Sequence, residues 1–244
     1  MPCHDFARMK EIIHIAYTII PEIIQESKID ALLVEKISGE QARRILSYKS
    51  PKDRCARLAG RLLLQKLLQQ NQLPFHLSQM VVVPGNKPFI HHSFDFNIAH
   101  SGNMVVCALI KGGRIGIDIE EIRSLDVPLL EAIFTENELK LIANHPGDVS
   151  LPIQIWVRKE AIQKATGKGV LLAHAMIDTT LSFFDFERER YYNNDVRLCD
   201  GYTCTIATLE SGHTFNIQYI SLSELFQNLS SYQINKGSSQ NGET

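Results

Sequence analysis

Paired cysteines, an excess of one charge and long unbroken apolar runs are all missing from this 244-residue chain. The five cysteines, Cys3, Cys55, Cys107, Cys199 and Cys204, are odd in number, and no two stand in C-x-x-C spacing. That pattern argues against a zinc finger or a disulfide framework and for reduced thiols in a cytoplasmic protein. Lysine and arginine total 25 against 27 acids, a formal net charge of -2. Proteins that hold a nucleic-acid backbone are ordinarily basic, with aromatics interleaved among the cations. Nothing of the kind is present, so no nucleic acid is expected, and any anion site must be a local patch. The early apolar stretch Ile12–Ile24 is broken by His14, Thr18, Pro21 and Glu22. It can serve neither as a bilayer span nor as a signal peptide, and no membrane partner is expected. There is no Walker or dinucleotide glycine motif, no G-x-S-x-G elbow around Ser101 and no internal repeat.

What is there suffices for a sizeable core: 44% of residues are hydrophobic, enough for one large domain or two modest ones. Residues 1–28 read as an N-terminal extension, partly helical. The apolar run Ile29–Val34 suggests a buried strand. Ser38 with Gln41 opens a short helix, and Pro51 opens a strong one that runs to Gln70 with Arg54, Arg57 and Arg61 along it. Met80–Val83, Phe94–Ile98, Met104–Ile110 and Arg114–Glu120 read as extended, with Gly112-Gly113 as a hairpin turn. Helices are expected over Phe134–Ala143, with Thr135 as N-cap, and over Ile153–Thr166, ending at Gly167. Thr179–Phe186, Tyr202–Leu209 and Phe215–Ile220 alternate like antiparallel strands. Residues 235–244 are a polar, glycine- and serine-containing tail, expected to be disordered. Strands outnumber helices after residue 80, and connections are short. The fold class is therefore α+β.

Four segments carry chemistry. In Gly116-Ile117-Asp118-Ile119-Glu120, strand alternation turns both isoleucines inward and leaves both carboxylates on the other face. Two such acids suit magnesium, although an ordinary acid-faced strand has the same pattern. In Trp156-Val157-Arg158-Lys159-Glu160-Ala161-Ile162-Gln163-Lys164, Glu160 and Lys164 share one helix face, as a metal ligand with a phosphate cation or as a simple ion pair. Phe96-Asn97-Ile98-Ala99-His100-Ser101-Gly102 puts an imidazole between a short strand and a glycine turn, where backbone N–H groups favour anions. Gly85-Asn86-Lys87-Pro88 holds a lysine in a rigid turn.

Together, in this order, these segments resemble the signature of the 4'-phosphopantetheinyl transferases, specifically the longer Sfp-type group. That pattern runs G-x-K-P, F-N-[IL]-S-H-S, [IV]-G-[IV]-D-[IV]-E and [WF]-x-x-K-E-[AS]-x-x-K. Asp118 follows His100 by 18 residues, and Glu160 follows Asp118 by 42. The resemblance covers roughly residues 29–220. It implies a pseudo-twofold arrangement of two similar α+β subdomains, 29–112 and 113–234, with coenzyme A bound between them in a monomer. It implies magnesium on Asp118, Glu120 and Glu160. It further implies that Lys87, His100 and Lys164, with Arg44 and Arg57, hold the cofactor's phosphates. The reaction implied is transfer of the phosphopantetheine arm to a serine of an apo acyl or peptidyl carrier protein. Either Glu160 or a water oriented by Glu138 takes the serine proton. Residues Leu125–Ile142 are the expected docking surface for the carrier. Ala99 departs from the family's serine. A hydroxyl contact is lost there, which leaves a non-catalytic homologue that binds coenzyme A or the carrier as the alternative.

Overall fold

A computed structural model describes residues 11–37, 39–73, 77–82, 87–90, 93–125, 131–169 and 172–227. The expectations for Ser38, Gly85, Asn86 and the tail 235–244 lie outside them.

Two four-stranded sheets lie side by side. The first has the order β2-β3-β1-β8, from β1 (Ile12–Ile19), β2 (Phe94–Ser101), β3 (Met104–Lys111) and β8 (Thr214–Tyr219). The second has the order β4-β7-β6-β5, from β4 (Ile115–Glu121), β5 (Phe183–Phe186), β6 (Glu189–Asp195) and β7 (Tyr202–Thr208). In the first half, β1, the long helix α3 (Pro51–Gln70), β2 and β3 follow in sequence, and β3 lies between the other two strands. In the second half, β4, the helix α5 (Leu151–Thr166), β6 and β7 follow in sequence, and β7 lies between the other two. This repeated strand–helix–strand–strand plan is the pseudo-twofold.

Three apolar layers hold it together. Leu58, Leu62, Leu63 and Leu67 of α3 pack with α1 (Glu26–Lys36) and α2 (Gly39–Leu46) on one face of the first sheet. Ile13, Ile15, Ile117, Ile119 and Ile206 fill the space between the sheets. Ala161, Ile162 and Ala165 of α5 cover the second sheet with Tyr191 and Ala207. Burial of one Ile or Leu side chain stabilises by roughly 1.5–3 kcal/mol, so these layers supply most of the driving force. The helix ends follow local chemistry. Ser50 accepts a hydrogen bond from the Asp53 amide ahead of Pro51, and Gly167 closes α5 at φ 69°. No helix among the described residues is long and apolar enough to cross a membrane.

Several expectations are corrected. Residues 12–19 are not helical: they form β1, which pairs antiparallel with β3 and parallel with β8. Ile29–Val34 is not a strand but the interior of α1, with Ile29 and Leu33 four apart on its buried face. Gly112 and Gly113 do turn, with φ 77° and 74°, yet they make no hairpin. β3 pairs with β1 and β2, and β4 pairs with β7, so the glycines carry the chain from one sheet to the other. The hairpin is β2–β3, closed at Gly102 with φ 55°. Strand β6 had no expectation at all.

Candidate functional site

The site is built where α5 lies against β4, and Gly116 lets them meet. A Cβ on Gly116 would fall 2.0 Å from the Ala161 carbonyl oxygen. With that atom absent, the helix backbone rests on the strand and brings Lys164 to Asp118. Lys164 Nζ donates to Asp118 Oδ1 at 2.5 Å. Asp118 is only 5% exposed, and its other oxygen, Oδ2, is buried without a hydrogen-bond partner. Burial pushes the carboxyl up to about 6, with the charges of Glu160 and Glu120 adding to the rise and Lys164 opposing it.

Two residues on, Glu120 accepts from the Ser101 hydroxyl at 2.5 Å, and Ser101 Oγ accepts from the Glu121 amide at 3.2 Å. The end of β2 is thus tied to the end of β4. Asn97 and Asp95 make similar ties farther back, each accepting from a β4 amide. Glu160 Oε1 lies 2.9 Å from His174 Nε2, and the His174 ring stacks on Trp156 with centroids 4.8 Å apart. Burial pushes the Glu160 carboxyl up, but the His174 hydrogen bond and the Lys164 charge outweigh it and hold the group below its ordinary range.

Cations face these acids. The Arg57 guanidinium lies 3.9 Å over the Tyr48 ring. Arg61 donates to the Arg57 carbonyl at 2.9 Å. The Nε atoms of both arginines are buried without partners. Burial, with the positive charges of Arg57 and Arg44, brings Arg61 down to about 10. His100, at the end of β2, is held below its ordinary value by loss of surrounding water and by the charges of Arg57 and Lys164, against Asp53. Arg61 feels the charges of Arg57 and Arg44, His100 those of Arg57 and Lys164, and Asp118 those of Lys164, Glu160 and Glu120, so these cations gather near the acids. Like charges gathered this way repel one another and call for a polyanion. Arg61 was not among the residues expected to hold phosphates. Its signal in the sequence was the four-residue spacing from Arg57 along α3. Arg54 is different: it is spent on Glu26, Asp30 and the Tyr48 carbonyl.

Two expected members stand apart. Lys87 donates to Asp95 at 2.6 Å and to the Ile115 carbonyl at 2.8 Å. That places it about three residues back along β4, roughly 10 Å from Asp118, and already paired. Glu138 is fully buried and saturated. Its Oε1 accepts from the Thr179 amide and hydroxyl at 2.9 and 2.8 Å, and its Oε2 from the Thr135 amide at 2.8 Å and Lys159 at 2.6 Å. It caps α4 (Glu136–Ala143) and braces the fold, so it is not free to orient a water. Ala99 is buried in the apolar layer between the sheets, so its missing hydroxyl leaves no gap among these cations.

Of the expected docking segment, residues 126–130 lie outside the described ones. Phe134 belongs to the core, and Leu139 and Ile142 are half-buried. Beside Glu120, a cavity of about 240 Å³ is lined by Leu125, Ile153 and Trp156. The set of acids suits a hard divalent cation, and Asp118 Oδ2 is an acceptor in need of one. As placed, Lys164, Ser101 and His174 each occupy one of the three carboxylates. Among the described residues, no three acidic, histidine or cysteine groups stand close enough together to hold an ion.

Comparison with known proteins bears on this arrangement. Residues 114–219 match the 4'-phosphopantetheinyl transferase superfamily, and residues 26–111 match the N-terminal part of a 4'-phosphopantetheinyl transferase. The chain is 31% identical to "4'-phosphopantetheinyl transferase gsp" of Aneurinibacillus migulanus, over 75% of this chain and 80% of that one. It is 33% identical to "4'-phosphopantetheinyl transferase AcpT" of Salmonella typhi, over 61% of this chain and 78% of that one. It is 32% identical to "4'-phosphopantetheinyl transferase psf-1" of Bacillus pumilus, over 46% and 50%.

Proposed function

The chain belongs to the 4'-phosphopantetheinyl transferase superfamily, and from that premise we propose that it transfers the phosphopantetheine arm of coenzyme A to a serine of an apo carrier protein. The products are the holo-carrier and adenosine 3',5'-bisphosphate. The observation that carries this reading is the group of cations, with unpartnered buried Arg57 and Arg61 Nε atoms, near a buried acid whose second oxygen is also unpartnered.

Coenzyme A brings a diphosphate and a phosphomonoester, the latter with a charge of about −1.5 to −2 at neutral pH. Two like unit charges 4 Å apart repel by roughly 4 kcal/mol at an effective dielectric of 20. Arg44, Arg57, Arg61, His100 and Lys164 are the groups that offset this charge and fix the phosphates. Asp118, Glu120 and Glu160 would hold magnesium. When bound, it neutralises charge on the diphosphate as the phosphorus–oxygen bond breaks. Glu160 is kept ionised by His174 and Lys164, the state in which a carboxylate can hold the cation or take a proton. The apolar cavity at Leu125, Ile153 and Trp156 adjoins Glu120 and suits the pantetheine arm or the carrier's apolar contacts. The four described cysteines are all free thiols, in keeping with a cytoplasmic setting. Both halves contribute to one site, cations from α2, α3, β2 and α5 and acids from β4 and α5, which favours a monomer divided near Gly112-Gly113.

Intact-mass measurement on a panel of apo carriers, incubated with coenzyme A and magnesium, tests the proposal. A carrier should gain one phosphopantetheine. Asp118→Ala should lower the rate by about 10³-fold or more, equivalent to the loss of several kcal/mol of charge stabilisation, with its circular dichroism unchanged. Coenzyme A binding without any mass gain across the panel would leave only a binding homologue.

A further inference from the structure

Glu160 reaches the acid pocket on a side chain with three rotatable bonds, and an unsupported carboxylate there loses entropy whenever it is fixed. Support comes from the segment after α5. His174 stands in a short 3-10 turn, His174–Met176, and its ring is flanked by Trp156. The turn is itself clamped: Lys159 Nζ donates to the His174 carbonyl at 2.9 Å and also to the Ile177 carbonyl. Lys159 in turn is anchored by Glu138 at 2.6 Å. Adjacent residues of one helix therefore act on the same turn. Lys159 grips its backbone, and Glu160 receives its side chain. An ionised carboxylate only accepts hydrogen bonds, so His174 Nε2–H is the donor. The bond uses Oε1, and Oε2 receives none among the described residues.

We propose that His174 is a positioning residue: its Nε2–H fixes the Glu160 carboxylate in the orientation that leaves Oε2 available to a divalent cation shared with Asp118. This rests on the metal role proposed above for Glu160. Partners hydrogen-bonded to a ligating carboxylate orient it, and removing one typically costs roughly 10–100-fold in metal affinity.

The test is direct titration of the full chain with Mn²⁺, without coenzyme A, followed by electron paramagnetic resonance of the free ion. His174→Ala should raise the Mn²⁺ dissociation constant about 10–100-fold. His174→Phe keeps a ring against Trp156 without the donor and should bind as weakly as the alanine variant. His174→Gln supplies an amide N–H at a similar reach and should recover most of the affinity. Thermal unfolding in EDTA identifies any variant that fails to fold, and the phenylalanine–glutamine contrast then decides the matter. A parent that binds Mn²⁺ while H174A or H174F binds it equally well overturns this inference alone. So does a glutamine variant no better than H174F. A parent that binds no Mn²⁺ overturns the metal reading and this inference with it.

Discussion

Helix α5 presents two buried acid–lysine pairs, and they have opposite characters. Lys159 meets Glu138 at 2.6 Å with both side chains fully buried. Lys164 meets Asp118 at 2.5 Å with the lysine 26% exposed. In the first pair every polar atom is used: the ammonium has three acceptors and each carboxylate oxygen has two donors. In the second, one carboxylate oxygen is buried with nothing to bond. A buried pair that is complete contributes rigidity and a defined local structure; one left incomplete stores a demand that a ligand can meet. Burial and charge alone therefore do not mark a working acid. Unmet bonding capacity does.

The largest effect should come from breaking the complete pair. Lys159→Ala leaves a charged carboxylate without its partner in the interior and should cost about 3–5 kcal/mol in urea unfolding. Transfer should fall too, since the turn that carries His174 loses its clamp. Next is a change to the helix that serves both pairs. Gly116→Ala sets a methyl against the Ala161 carbonyl, a backbone atom that cannot rotate away. Overpacking of this kind costs roughly 1–3 kcal/mol, and displacing α5 by about 1 Å should lower the transfer rate by roughly 10²-fold. A 10²-fold loss is about 2.7 kcal/mol, so activity and stability should fall by comparable free energies. The smallest effect has the reverse sign. Asp118 titrates near 6 when folded against an ordinary 3.8. Between those values the folded state holds more protons, so stability falls as pH rises through the window, and the penalty is complete above it. Asp118→Asn should remove that slope and, in metal-free buffer at pH 7, stabilise the chain by at most about 3 kcal/mol before the loss of the Lys164 ion pair is subtracted, while transfer is lost. Denaturation curves at pH 4 and pH 7 check it. Equal slopes in parent and variant would place the charge penalty elsewhere.

The local placement of Asp118, Glu120, Glu160 and Lys164 was legible because strand alternation and helical spacing leave little freedom. Pro51, Thr135 and Gly167 likewise announced three helix ends. Local pattern failed where partners are remote. β1 and α1 are both short apolar runs, which periodicity cannot tell apart. β1 becomes a strand because β3 and β8 flank it, and β8 comes from the far end of the chain. Strand β6 reads as polar because it buries only Tyr191. Gly112-Gly113 signals a turn but not which strands the turn separates. Lys87 and Glu138 are ambiguous for the same reason: their ion-pair partners, Asp95 and Lys159, lie 8 and 21 residues away. His174 gave no signal at all, since only the Lys159 clamp brings its turn back to Glu160.

The parallel pairing of Ile12–Ile19 with Thr214–Tyr219 has a consequence for biosynthesis. A ribosome releases the first half early, yet that half's sheet lacks its outer strand until residue 219 has been made. One side of β1 stays open through nearly the whole of translation, and the second half must be synthesised before the first is finished. The two halves share a plan, but they mature as a single unit.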